Sequence, residues 1–269
     1  MNAYMKINTT AIVLAAGQGK RMQSKVHKQY LLIQDKPVLY YSLHAFETSF
    51  VDDIVLVVGK DEKEYCQKEI VDKYGFTKVK MIVEGGKERY HSVAYGIKAI
   101  DWKCDYIFIH DGARPFINEE ILERVFEQVQ KSKACGVGMP VKDTVKIADT
   151  AGFVESTPNR ARVWQIQTPQ VFEANLIRTA YERLLEEEVQ FLSSGNVITD
   201  DAMVVEYFIK LPVKLVEGSY QNIKITTPED LEIAGVFLEK QKSLKKIKKS
   251  VDRKGGHGYN KFCSLDNTE

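Results

Sequence analysis

Along the first half of the chain, short apolar runs alternate with amphipathic stretches, and each run ends in a polar cluster. Residues 11–16 (AIVLAA) are apolar throughout and stop at Gly17 and Gly19. Residues 53–59 (DIVLVVG) form a continuous run rich in β-branched side chains, the pattern of a strand covered on both faces. Residues 79–83 are a shorter strand ending at Gly85-Gly86, and residues 105–110 (DYIFIH) end in Asp111-Gly112-Ala113-Arg114-Pro115. Between these runs the period changes from strand to helix. Residues 37–46 repeat their apolar positions at helical spacing, with Pro37 suited to a first turn. A polar amphipathic helix is predicted around residues 62–74, and residues 89–100 place Tyr90, Val93, Ile97 and Ile100 on one stripe. Asn118 reads as the N-cap of a helix with apolar positions Ile121, Leu122, Val125, Phe126 and Val129; Glu119 and Glu120 then face the positive end of its dipole.

Strands alternating with helices over residues 11–135 predict an α/β fold: right-handed β-α-β units and a mainly parallel sheet with helices on both faces. Ligands of such sheets bind beyond the carboxyl ends of the strands. The clusters after Ala16, Glu84 and His110 all fall at such ends, which predicts one composite site. From Gly136 the rhythm breaks into short extended pieces at 137–141, 145–148, 153–155 and 163–167, interrupted by Asp143, Gly152 and Pro158. This reads as a β-hairpin excursion, too thin for its own core and expected to pack on a partner subunit. A helix over 174–185 follows, then Thr199-Asp200-Asp201 ahead of an apolar helix at 202–208 and a strand at 214–217. After Gly218 and Asn222-Ile223-Lys224-Ile225-Thr226, the last helix opens at Thr227-Pro228-Glu229-Asp230. Beyond Gln241 the chain is rich in lysine and glycine and is expected to be a mobile basic tail.

Composition narrows the functional classes. The 269 residues, 44% hydrophobic, suffice for a substantial core, and a net charge of +1 provides no field for nucleic acid or a membrane surface. The N-terminus lacks the apolar core of a signal peptide, and no run approaches the roughly 18 apolar residues of a membrane span. Cys66, Cys104, Cys135 and Cys263 are scattered without a C-x-x-C pair, which predicts neither zinc nor disulfides and fits a cytoplasmic protein.

The candidate chemistry begins at Gly17 and Gly19, which are followed by Lys20, Arg21, Lys25 and Lys28. Met22 stands where both the P-loop and the dinucleotide fingerprint would need their next glycine, so neither motif is present. A plain strand-to-helix turn with solvated lysines is the simpler alternative; four cations clustered behind paired glycines argue instead for a cradle that holds polyphosphate. Nucleotidyl transfer needs positioned cations around phosphorus, in-line geometry and usually a divalent metal. Arg21, Lys28, Arg89, Arg114, Arg160 and Lys224 stand beside turns or strand ends, and Asp111 is a candidate for Mg²⁺. Each has a plainer reading: Arg89 as a surface residue opening a helix, Asp111 as a brace for the loop before Pro115, Ser92 as a helix-capping hydroxyl. His110 has no serine or cysteine nucleophile motif beside it and reads as a packed or loop-stabilising residue.

Six segments, AAGQGKRM…KQY, EGGKERYHSV, HDGARPF, QTPQVF, TDDAMVVE and EGSYQNIKITTPEDL, occur in this order over almost all of residues 10–235. Together they resemble the 2-C-methyl-D-erythritol 4-phosphate cytidylyltransferase family of the non-mevalonate isoprenoid pathway. The resemblance implies a Rossmann-like nucleotidyltransferase domain over 10–241, with a β-arm at 142–168, an N-terminal extension at 1–9 and a tail at 242–269. It further implies a homodimer joined through the arm and a Mg²⁺-dependent reaction of CTP with the methylerythritol phosphate. Carried over by position, Ala15, Ala16, Gly17 and Gly19 line the CTP site, with Gly86 and Ser92 near base and ribose. Arg21 and Lys28 match the cations at the α-phosphate, and Asp111 and Arg114 match the loop near metal and second substrate. Arg160 and Lys224 match residues that position that substrate, Thr168 and Thr199 border it, and Arg160, on the arm, serves the neighbouring subunit's site. The attacking group is a phosphate oxygen, already anionic near neutral pH, so the lack of a general base in the sequence agrees with the resemblance. Lys87, where an acid is expected, and His27, where proline is frequent, depart from the family pattern, and the tail has no counterpart in it.

Ribitol 5-phosphate cytidylyltransferases share the loop and similar QTPQ and NIK segments; ERYHSV and TDDA resemble the methylerythritol branch more. A non-catalytic nucleotide-binding module would not need both Arg21 and Lys28, and a dinucleotide oxidoreductase lacks its third glycine.

Overall fold

The structure, a computed structural model, describes residues 6–17 and 26–253, with the backbone alone over 245–253. In chain order, β1 (Thr9–Ala15) leads to a single 3-10 turn (Lys28–Tyr30), the short pair β2 (Leu32–Ile33) and β3 (Lys36–Pro37), and α1 (Val38–Glu47). Then come β4 (Asp53–Val58), α2 (Lys63–Cys66), which continues as a π-helical segment (Gln67–Asp72), β5 (Val79–Glu84), α3 (Arg89–Lys98), β6 (Tyr106–Asp111), α4 (Glu119–Ser132) and β7 (Ala134–Pro140). The remaining elements are β8 (Ile147–Ala148), β9 (Val154–Ser156), a 3-10 turn (Arg160–Arg162), β10 (Trp164–Glu173), α5 (Ala174–Ser193), α6 (Asp201–Phe208), β11 (Lys214–Glu217) and α7 (Pro228–Arg253).

Seven strands form one sheet in the order β11-β7-β10-β6-β1-β4-β5. Pairings among β6, β1, β4 and β5 are parallel, as is β7 with β11; β10 runs antiparallel to both its neighbours. The central strands are buried on both faces because successive side chains enter different cores. Ala11, Val13, Leu56 and Phe108 pack with Leu43, Phe46 and Val125 of α1 and α4. Ile12, Val55, Val57 and Ile109 pack with Val93, Ile97, Ile177 and Leu184 of α3 and α5. Tyr90, Val93, Ile97 and Ile100 are all buried, as the helical stripe predicts. Asn118 caps α4 by accepting the Ile121 N–H at 3.0 Å.

Several elements differ from the sequence reading; α5, expected over 174–185, runs on to Ser193. The pieces at 137–141 and 163–167 are not part of the excursion but the outer ends of two long sheet strands, β7 and β10; only β8 and β9 pair separately. Glycines 136 and 138 dilute the apolar pattern there, and pairing between the two strands, with Gln165 and Ile166 still exposed, supplies what the local sequence lacks. Pro37 precedes α1 rather than opening it, because its backbone pairs with Leu32 across β2 and β3. The last helix does not stop at Gln241 but continues to Arg253; no glycine or proline follows Gly235 before Gly255 to interrupt it. Its first turns bury Ala234 and Leu238 against Ile33, Val38, Phe116 and Ile225. The tail beyond Arg253 lies outside the described residues.

Candidate active site

The carboxyl ends of β1, β5 and β6 open into a cleft of about 620 Å³ lined by Ala15, Ala16, Gly17, Lys28, Gly86, Ser92, Asp111 and Lys224, among others. A smaller cleft of about 310 Å³ is lined by Arg114, Thr168, Thr199 and Asp200. The two clefts share Arg89, Asp111 and Lys224. Most of the site residues expected from the sequence are therefore together, eight in the larger cleft and three more in the smaller. Arg160 lines neither: it sits at the base of the β8–β9 arm with Nη1 donating to the Lys142 carbonyl at 3.0 Å. Gly19 and Arg21 lie outside the described residues.

Local chemistry explains how the edge of the sheet is shaped. A Cβ on Gly85 would stand 2.4 Å from the Ala16 Cβ and 2.7 Å from Ser92 Oγ, so only glycine lets the end of β5 approach the end of β1. Ser92 fastens this turn: its Oγ accepts the Gly86 N–H at 3.1 Å and donates to the Glu88 carbonyl at 3.2 Å. On the other flank, Glu62 gathers the segment after the glycine loop. Its carboxylate pairs with His27 Nδ1 at 2.5 Å and accepts the Tyr30 hydroxyl at 2.7 Å and the Gly59 N–H at 2.9 Å. His27 thus has a partner in the turn that follows β4. Lys87, the other departure, lines the larger cleft.

Asp111 is the electrostatic centre. Lys224 Nζ stands 2.6 Å from Oδ2, Arg89 Nε 3.3 Å from Oδ1, and Arg114 Nε 4.0 Å from Oδ2. Burial alone would push the carboxyl upward, but the charges of Arg89, Lys224 and Arg114 outweigh it and hold Asp111 well below the usual carboxylate range. It is an anion at any physiological pH. Behind it, the Asp111 N–H donates to Thr168 Oγ1 at 3.0 Å, and that hydroxyl lies 3.1 Å from His110 Nδ1. His110 Nε2 must donate to the Arg114 carbonyl, 3.1 Å away, because a carbonyl can only accept; Nδ1 is then the acceptor of the Thr168 hydroxyl. Burial depresses the imidazole to about 4, so it is neutral near pH 7 and braces the loop, as the sequence reading had it. Arg114 Nη1 donates to the Asn222 carbonyl at 2.9 Å, and the buried Asn222 amide reaches the Thr168 carbonyl at 3.0 Å. The QTPQ, HDGARP and NIK segments are in this way one hydrogen-bonded unit.

Asp201 and Gln29 were not legible as participants in the sequence, whereas Arg89 was among its candidate cations, with a surface role as the plainer reading. Arg89 is partly exposed but not free in solvent: Nη1 and Nη2 make a paired contact with Asp201 at 2.9 and 2.8 Å. Asp201 is fully buried; the signal for it was the adjacent Asp200-Asp201 pair, of which only one can cap a helix. Asp200 takes that role by accepting the Met203 N–H at 2.9 Å. Gln29, also buried and lining the larger cleft, donates Nε2 to the Ala15 carbonyl at 2.5 Å and leaves its Oε1 without a partner. Among the described residues no group of three or more histidine, cysteine or acidic side chains is arranged to hold a metal unaided. The arrangement is suited to gathering phosphate groups around a cation-ringed carboxylate.

Comparison with known proteins gives the same picture. The profile of the family described as IspD, 2-C-methyl-D-erythritol 4-phosphate cytidylyltransferase, matches residues 9–240. The cytidylyltransferase of that name from Lachnoclostridium phytofermentans is 53% identical over 235 residues, covering 87% of this chain and 98% of its own. That from Caldanaerobacter subterraneus is 46% identical over 235 residues, 87% of this chain and 100% of its own. The crystal structure of 4-diphosphocytidyl-2C-methyl-D-erythritol synthase from Anaerococcus prevotii superimposes with a TM-score of 0.73 at 36% identity, covering 87% of this chain and 96% of that one.

Proposed function

We infer the chemistry of the two clefts from one premise: the chain belongs to the 2-C-methyl-D-erythritol 4-phosphate cytidylyltransferase family. It is a cytidylyltransferase that moves CMP from CTP to 2-C-methyl-D-erythritol 4-phosphate, giving 4-diphosphocytidyl-2-C-methyl-D-erythritol and pyrophosphate in isoprenoid precursor synthesis. A phosphate oxygen of the second substrate forms a bond to the α-phosphorus of CTP. The bond from that phosphorus to the α,β-bridging oxygen breaks, and pyrophosphate leaves with the electron pair. No proton has to be removed from the nucleophile, so the chain needs cations and alignment, not a base.

The observation that carries the residue assignments is the anionic Asp111, ringed by Lys224, Arg89 and Arg114 where the two clefts meet. In our reading the larger cleft takes CTP, with Ala15, Ala16, Gly17, Gly19 and Gly86 offering backbone and close approach and Ser92 holding the turn. Lys28 and Arg21 gather charge at the α-phosphate as it is attacked. The smaller cleft takes the polyol phosphate, bordered by Arg114, Thr168 and Thr199, with Lys224 reaching both. Mg²⁺ is bound by one or two carboxylates together with substrate phosphates, and an ionised Asp111, with no acidic cage around it among the described residues, fits that donor set. When bound there, a divalent ion supplies neutralisation of the triphosphate charge.

The reading extends to a homodimer. The two-stranded arm exposes Phe153 (74%), Val154 (60%) and Ile147 (49%), apolar surface that a second copy would cover. Arg160 at the arm's base lines neither cleft of its own chain, which supports its service to the neighbour's. A cytoplasmic location is supported by the free thiols Cys66, Cys104 and Cys135, and no described helix is long and apolar enough to cross a membrane.

Pyrophosphate release from CTP, measured with a panel of polyol phosphates, tests the assignment. Release with the methylerythritol phosphate is expected. Release with ribitol 5-phosphate but not with the methylerythritol phosphate would overturn it.

A further inference from the structure

The Asp201 side chain is fully buried, and a carboxyl group in such a place is tolerated only if it is paired and hydrogen-bonded. Its partners come from two helices. Arg89, the first residue of α3, supplies two parallel N–H donors, and the Tyr181 hydroxyl on α5 donates to Oδ1 at 2.5 Å. Burial pushes the Tyr181 phenol upward, so it stays a neutral donor. The start of α6 is itself clamped to the sheet. Gln170 of β10 donates Nε2 to Asp200 Oδ2 at 2.8 Å and accepts the Ala202 N–H on Oε1 at 2.8 Å. With both terminal nitrogens of Arg89 held, its Nε faces Asp111 Oδ1 at 3.3 Å, while Lys224 takes the other oxygen. A guanidinium fixed in this way has its plane set by Asp201, and a fork held at two points transmits orientation that a single flexible ammonium cannot.

We propose that Asp201 and Arg89 are positioning residues for the cytidylyl transfer: a hydrogen-bonded strut, anchored on the buried Asp201, that sets the rotation of the Asp111 carboxylate between the two clefts. The proposal rests on the cytidylyltransferase reading of those clefts and adds to it the role of the second acid of the TDD segment and of the arginine in the GGKER turn. Asp201 touches neither cleft and acts only through Arg89. Arg89 lines both, so a loosened guanidinium would be felt where phosphate groups of the two substrates approach each other. The strut is demanded by alignment rather than by binding. Misplacing a group by a fraction of an ångström in a near-attack arrangement costs rate more than affinity.

The test is steady-state pyrophosphate release by the purified full chain carrying Arg89→Lys, Asp201→Asn, or both. Thermal unfolding is measured in parallel. Each single variant is expected to lose at least about tenfold in kcat, with KM for CTP changed by less than about threefold. The double variant should be no slower than the slower single, because both remove one strut. Arg89→Lys keeps a positive charge beside Asp201 and carries the test even if Asp201→Asn does not fold. Failure of lysine to rescue kcat separates a strut from mere charge neutralisation. If wild-type turnover is present and the folded variants keep kcat within about twofold while melting earlier, the pair only ties α3 to α6 and the proposal is overturned. If the loss appears wholly in KM for CTP, the pair serves binding and the proposal fails equally. A wild type that releases no pyrophosphate would overturn the cytidylyltransferase reading and the strut with it.

Discussion

Acid should weaken this fold through a single imidazole placed directly behind the active carboxylate. His110 is fully buried in β6, donating to the Arg114 carbonyl and accepting from the Thr168 hydroxyl. Burial lowers it from an ordinary 6.5 to about 4 in the folded chain. Above pH 6.5 it is neutral in both folded and unfolded states and contributes no pH dependence. As the pH falls below 6.5 the unfolded chain binds the proton and the folded chain does not, so stability drops until the folded imidazole is also protonated near pH 4. The drop from 6.5 to about 4 is worth about 3 kcal/mol, most of it spent by pH 4.5. The assay is urea unfolding of wild type and His110→Asn at pH 7.5 and 4.5. The variant will be less stable at pH 7.5, because the Arg114 carbonyl loses its donor, but its further loss on acidification should be smaller than the wild type's by about 2.5 kcal/mol. Other titrating groups cancel in that difference. Equal acid losses within about 0.5 kcal/mol would refute the buried neutral histidine.

Arg21→Ala should retain a cooperative unfolding transition and lose on the order of a hundredfold in kcat, read by pyrophosphate release; near-normal turnover would remove Arg21 from the site. Gly85→Ala places a methyl 2.4 Å from the Ala16 Cβ, so the ends of β5 and β1 must part; CTP affinity by calorimetry should fall, and stability by about 1–3 kcal/mol. Phe153→Asp should shift the assembly toward monomers in light scattering if the arm is the dimer contact. Mixing inactive Arg160→Ala and Lys28→Ala subunits should then restore about a quarter of wild-type activity, since half the dimers are mixed and each mixed dimer rebuilds one of its two sites. No restoration would mean that Arg160 serves its own subunit.

Much of the fold was visible in local pattern because it depends on local physics. The continuous apolar run at 53–58 became the sheet's fully buried β4, and the Asn118 cap and the apolar stripes of α3 and α4 appeared where helical spacing put them. The glycines and cations that end each strand were visible for the same reason: a turn that admits phosphate needs small residues and nearby charge at fixed places along the chain. What periodicity could not reveal was β10, whose Gln167-Thr168-Pro169 breaks the ladder to β7 and whose partners lie far away in sequence.

The sequence by itself determined the parallel strands and helices of the first half of the chain, that their polar ends share one edge of the sheet, and which side chains could meet phosphate there. Tertiary structure alone decided how those side chains are held. Arg89 had two readings, site cation or helix-opening surface residue, until Asp201, 112 positions away, stood within hydrogen-bond reach, and the sequence did not say which cations would touch Asp111 until Lys224 and Arg114 closed on it. Propensity and capping are set by neighbours a few residues apart. A carboxylate's orientation and charge state are set by whatever the fold brings within a few ångströms, and no local pattern records that.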